Sequence, residues 1–123
     1  MEIKKIILSA IILIIVDSVY LHLFSNFYGN IVNSIQNKPM KVKIYSAIIC
    51  YLFLVFGLNY FILNKNESLL SAFLLGIVIY GVFESTNMAI FENWGLLPFL
   101  LDTIWGGLLF LITTYISYKL LKI

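Results

Sequence analysis

Six carboxylates occur in the chain, and three of them, Asp17, Glu84 and Asp102, stand inside long apolar runs, whereas Glu2, Glu67 and Glu92 stand at the ends of such runs. A charged side chain at mid-bilayer costs about 2.5–3.5 kcal/mol on insertion scales, so each enclosed acid needs a reason. All eight basic residues are lysine, and none falls in the interior of an apolar run, so no internal cation neutralises these acids. Carboxyls so placed can do three kinds of chemistry. Two that lie close share a proton readily, because the second negative charge is disfavoured. With the Asn87 carbonyl they could offer oxygen ligands to a hard cation. Asp102 and Glu84 could also serve as a general acid and base. The remaining reactive types are sparse. Cys50 is the only cysteine, cannot form an intrachain disulfide, and reads as a small buried hydrophobe. One His with one Cys cannot build the usual zinc sites. No nucleophile motif, H-E-x-x-H or Gly-rich phosphate loop is present, and no cofactor is implied.

The rise of a helix, ~1.5 Å per residue, gives each acid a depth. Asp17 is ~16 Å and Glu84 ~22 Å from the side of the membrane that carries the termini. Asp102 is ~21 Å from that side in a ~30 Å core. All three are expected in one layer, in the half nearer the first and third loops. Helical spacing supplies their neighbours. Asp17, Tyr20, Phe24 and Tyr28 share one face; so do Gly76, Tyr80, Glu84 and Asn87, and likewise Asp102, Trp105, Gly106 and Thr113. The second run offers Ser46, Cys50, Phe53, Gly57 and Tyr60. These faces predict a polar pocket inside a bundle, lined by Asp17, Tyr20, Tyr80, Glu84, Asn87, Asp102 and Trp105. His22 lies about 140° around the helix from Asp17 and is expected to point elsewhere.

The elements that must hold these residues are membrane helices. Of 123 residues, 62% are hydrophobic and 11% charged, and the mean hydropathy is +1.01. A soluble domain is about 45–50% apolar and about 25% charged, so this chain has no polar coat to face water. Four apolar stretches, about 6–27, 44–63, 69–91 and 96–121, are long enough to cross a hydrocarbon core. Lipid offers no partner for a free backbone group, so they must be helices; the alternating pattern of a membrane barrel is absent. The expected architecture is all-α: one domain over 1–123, with four transmembrane helices in an antiparallel bundle. The first apolar run resembles a signal peptide, but no small-x-small site follows it, and it reads as an uncleaved first span. In the long first loop, Ile31, Val32 and Ile35 have the spacing of a short interfacial helix. Ser68 is placed to cap the third span, and Trp94 in the tight third loop is expected at interfacial depth. Five lysines on the side of the termini, against three on the other, predict both termini in the cytoplasm. The net charge of +2, with no basic face, gives no sign of nucleic-acid binding.

The chain resembles a family of small membrane proteins, domain of unknown function 2177. The matching pieces are Asp17-x-x-Tyr20-Leu21, Gly57-Leu58-x-x-Phe61, Tyr80-Gly81-x-Phe83-Glu84-x-Thr86-Asn87 followed by Trp94, and Asp102-x-x-Trp105-Gly106. The family's usual residues at positions 83 and 84 are Tyr and Asp; here they are Phe83 and Glu84. The resemblance implies the four-helix topology and functional weight for the acids, and no particular reaction.

Three functions fit these residues. The acids could line a proton or cation path, with a homo-oligomer packed through Gly76, Gly81, Gly106 and Gly107. They could be protonated and serve as hydrogen-bonding glue in a scaffold or lipid-binding module. They could act as acid and base in an enzyme that modifies a lipid. The expected partners are membrane lipids, a second copy of the chain, and a proton or cation.

Overall fold

The computed structural model describes residues 2–122. It contains five helices: α1 (Ile3–Leu23), α2 (Ser25–Gln36), α3 (Ile44–Phe61), α4 (Leu69–Ile90) and α5 (Leu96–Leu121), with a short 3-10 turn at Leu63–Lys65 after α3. Four of the helices, all but α2, are long and apolar enough to cross a membrane. Their bounds agree with the expected spans to within a few residues. The exception is the first span, which stops at Leu23 instead of running to residue 27.

The reason lies in the sequence just beyond. Polar residues begin at Ser25, whose hydroxyl donates to the His22 carbonyl at 3.0 Å, and helical geometry is interrupted at Phe24. The expected interfacial helix therefore starts earlier than Ile31. In α2, Phe27, Tyr28, Ile31, Val32 and Ile35 form a half-buried face, while Asn26, Asn30, Asn33, Ser34 and Gln36 are exposed. That is the amphipathic pattern of a helix at an interface. Asn37 ends α2 and Asn66 ends the 3-10 turn, both in the left-handed conformation that Asn tolerates better than most residues. Ser68 caps α4 as expected, accepting from the Ser71 amide at 3.1 Å.

Helix α5 packs on both α4 and α1, and α3 packs on α1. The apolar core joins Leu13 of α1, Leu54, Val55, Leu58, Ile62 and Leu63 from α3 and its turn, Ala72 of α4, and Leu109 and Phe110 of α5. The pair α4–α5 makes the closest approach. A Cβ on Gly76 would strike the Gly106 carbonyl, and one on Gly107 would stand 2.8 Å from the Phe73 ring. Gly106 backs onto the ring of Tyr80, and Gly81 faces Thr103. The glycines expected to serve an oligomer are thus used within the chain, because small residues let these two backbones meet.

The outer surface carries apolar stripes at i, i+4 spacing: Ile3, Ile7, Ile11 and Ile15 on α1, Leu70, Leu74, Val78 and Val82 on α4, and Leu96, Leu100, Ile104 and Leu108 on α5, all exposed. Stripes of this extent on the outside of a bundle match a lipid solvent.

Candidate functional site

All three intramembrane acids point inward. Glu84 is 1% exposed, Asp17 6% and Asp102 9%. Asp17 of α1 is held by two other helices. The Tyr51 hydroxyl on α3 donates to its Oδ2 at 2.6 Å, and the Trp105 indole on α5 donates to its Oδ1 at 2.9 Å. A carboxylate that accepts from two buried donors keeps its own oxygens and their protons partnered, which is the condition for burying polar groups without large loss.

Tyr20 continues the network one turn beyond Asp17. Its ring stacks on Trp105 with centroids 4.5 Å apart and planes 3° from parallel, and its hydroxyl hydrogen-bonds that of Tyr28 in α2. Asp102 is buried at the level of Glu84, each lying one turn on from the place where Gly106 of α5 meets the Tyr80 ring of α4. Glu84 in turn accepts from the indole of Trp94. Trp94 also stacks beside Tyr28 at 6.2 Å. Tyr51, Asp17, Trp105 and Tyr20 thus form one linked set and Glu84 and Trp94 another, and Tyr28 of α2 joins them, bonding Tyr20 and stacking beside Trp94. Tyr28 lies outside the spans, and burial pushes its hydroxyl above the ordinary phenol value, so it remains a neutral donor and acceptor.

The helix α2 sits over this end of the bundle. Besides Tyr28, the Asn93 amide of the third loop donates to the Ser34 carbonyl at 3.2 Å. On the flank between α3 and α4 a cleft of about 360 Å³ opens outward, lined by Cys50, Phe53, Leu54, Ile79, Tyr80 and Phe83. Tyr80, which lines the cleft, stands one turn before Glu84 on α4.

The three acids do not gather round one point. Among the described residues no group of three His, Cys, Asp or Glu side chains is placed to hold a metal ion, so the expected oxygen-ligand set of Asp17, Glu84, Asp102 and Asn87 does not form. The one ion pair among the described residues is Lys5–Glu2 at 4.0 Å, and it leaves the buried acids without a cation.

The family model for predicted membrane proteins, DUF2177, matches residues 2–119. The chain belongs to the DUF2177 family. It is a membrane protein with four candidate spans. No curated protein and no solved structure matches it.

Of the residues expected to line a pocket in this DUF2177 protein, Asp17, Tyr20, Glu84, Asp102 and Trp105 come together. Tyr80 is half-buried against Gly106 and stands at the edge. Asn87 is half-buried and takes no part in the hydrogen bonds described above. Most of the expected face of the second span is turned outward: Phe53 is 73% exposed, Ser46 and Tyr60 are exposed, and Cys50 is exposed in the cleft instead of buried, whereas Gly57 is buried. The inward residue is Tyr51. Trp94, in the loop between α4 and α5, is turned inward and buried against Glu84, because an indole N–H seeks an acceptor and the carboxylate is the one at hand. His22 is exposed, away from Asp17, as the helical geometry requires.

A second buried polar level lies toward the termini. The Asn59 amide donates to the Ser9 hydroxyl at 2.9 Å. On α5 the hydroxyls of Thr113, Thr114 and Ser117 are buried without a partner. Each such group costs about 1–3 kcal/mol unless something satisfies it.

Proposed function

We propose that this membrane protein moves protons, and that Glu84 and Asp102 are the groups that hold and release them. The observation that carries the reading is that these two carboxyls are both buried at one level of the α4–α5 pair, with no basic partner among the described residues. Two acids in that position accommodate one negative charge far more easily than two, so a proton resides between them and can be exchanged. The Tyr20 and Tyr28 hydroxyls, bonded to one another, can pass a proton toward the α2 side by reversing their donor and acceptor roles. Intramembrane acids that are enclosed and face other polar groups commonly mark proton relays. Among the described residues the acids do not converge as ligands for a metal ion, which favours the proton over a cation.

The test is proton flux in liposomes containing the purified protein, read with an internal pH dye. Wild type is expected to dissipate an imposed pH gradient, and Asp102→Asn to lose most of that flux while eluting and folding like wild type. Absence of flux in wild type under gradients of both signs would overturn the proposal. So would an Asp102→Asn variant that conducts normally.

A second reading rests on Asp17. Its two donors come from two different helices, which is the arrangement of interhelical glue in a scaffold or lipid-binding module. If Asp102→Asn and Glu84→Gln both fail to fold, this structural reading gains and the relay loses its support.

A further inference from the structure

The proton relay leaves the second polar level unused, and that level has the properties of a hydrated site. Thr113, Thr114, Ser117 and Ser9 are fully buried, and Asn59 is 1% exposed. Asn59 satisfies Ser9 and also donates to the Val55 carbonyl at 2.8 Å. The Thr113, Thr114 and Ser117 hydroxyls have no protein partner; the fourth such hydroxyl on α5, that of Thr103, stands next to Asp102 in the chain, away from this level. Thr113 and Thr114 stand four and three residues before Ser117, so all three share one side of the helix. The register between helices sets their level. Asp17 and Trp105 are bonded across α1 and α5, which run in opposite directions. Ser9 and Thr113 each lie eight residues from that bond toward the termini, about 12 Å along each helix. Both halves of the polar level therefore sit at one depth.

Between this level and the acids lies a layer of apolar side chains. Leu13, Leu109 and Phe110 are fully buried there. Buried hydroxyls without protein partners are the groups that ordered internal water satisfies, and a water needs two to four polar neighbours. We propose that Thr113, Thr114 and Ser117 bind internal water, and that Leu13, Leu109 and Phe110 form a dry barrier between that water and the carboxyl network. The hydration stands on the hydroxyls alone; the role of the barrier in limiting flux rests on the proton relay.

The hydration is tested without any flux measurement. The chain has four threonines, so threonine-labelled full-length protein in lipid bilayers gives a short spectrum for water-edited solid-state NMR. Magnetisation is expected to reach Thr113 and Thr114 from water clearly faster than it reaches Leu109 in a leucine-labelled sample. Transfer to the two threonines as slow as to Leu109 would overturn the water site. Thr113→Val with Thr114→Val, nearly isosteric, is expected to stay folded; in a serine-labelled sample it should weaken transfer to Ser117. Unchanged transfer would overturn these hydroxyls as the ligands. For the barrier, Leu13→Ala is expected to raise proton flux severalfold. If wild type conducts and Leu13→Ala conducts no faster, the barrier is overturned. If wild type does not conduct, the barrier's role falls with the relay, while the NMR result still decides the water site.

Discussion

Asp17 ties three helices together, since it draws a donor from α3 and another from α5. Removing one donor should cost less than removing the acceptor. Tyr51→Phe loses one hydrogen bond but leaves Asp17 bonded to Trp105, and should destabilise by about 1 kcal/mol, in the range measured for bonds between membrane helices. Asp17→Leu strands both the Tyr51 hydroxyl and the Trp105 indole, and should cost about 2 kcal/mol or more, because unsatisfied buried donors are dearer than lost bonds. Unfolding in mixed detergent micelles would give the order; equal losses would show that Asp17 is not the hub. Much of this was legible in the residues: an acid in an apolar run must be enclosed, and helical spacing placed Tyr20 and Trp105 beside the acids. Tyr51 was not legible. A lipid-facing helix is apolar on every side, so α3, with Tyr45, Tyr51, Phe53, Phe56, Tyr60 and Phe61 distributed around it, offers no stripe from which its inward face can be read. Only the position of an acceptor on another helix picks out Tyr51 from the other aromatics. Trp94 was missed for the same reason, since its burial depends on Glu84 ten residues earlier.

At the scale of elements, the hairpin of α4 and α5 is set by glycine contacts, and glycines here divide by what surrounds them. Glycine inside a helix ordinarily costs roughly 0.5–1 kcal/mol relative to alanine, so Gly→Ala should stabilise wherever there is room. At Gly57 a Cβ meets nothing within 4 Å, and Gly57→Ala is expected to raise the thermal midpoint slightly or leave it unchanged. At Gly76 the added methyl would meet backbone, the Gly106 carbonyl carbon at 2.7 Å and the Gly107 Cα at 3.0 Å. Backbone cannot rotate aside, so the two helices must separate, and Gly76→Ala should destabilise by about 1–3 kcal/mol as other overpacked sites do. Opposite signs at the two positions, read as detergent melting temperatures, are the expected result. A loss at Gly57 as large as at Gly76 would contradict this packing. The spans themselves were legible because length and hydropathy suffice to mark a transmembrane helix. The end of α1 was not: Phe24 and Phe27 prolong the apolar run, while the change to a separate helix follows from Ser25 and the asparagines behind it.

For the molecule as a whole, four antiparallel spans put both termini on one side, and the charges choose which side that is. The termini and the turn after α3 carry Lys4, Lys5, Lys65, Lys119 and Lys122, whereas the opposite side carries Lys38, Lys41 and Lys43. Two of the five also bear the marks of anchors at a water–lipid boundary. The Lys65 amine stands 5.0 Å from the Tyr60 ring centre and the Lys119 amine 5.7 Å from that of Tyr115, cations resting on aromatic rings where chains leave the hydrocarbon. Positive residues in short loops are retained in the cytoplasm, which argues for cytoplasmic termini and puts α2, the third loop and the nearby Glu84–Asp102 pair toward the other face. In a bacterial host, green fluorescent protein fused after Lys122 should then fluoresce, and alkaline phosphatase fused there should be inactive. Phosphatase fused after Lys41 should be active. The reverse pattern would turn the molecule over. Because the difference is only five against three, the balance is also testable by charge: converting Lys4 and Lys5 to Gln leaves three against three and should give a mixed population, whereas removing Lys38 and Lys41 should sharpen the original orientation. Should the first variant keep a single orientation, hydrophobic features of the spans, and not lysine, would be what fixes the topology.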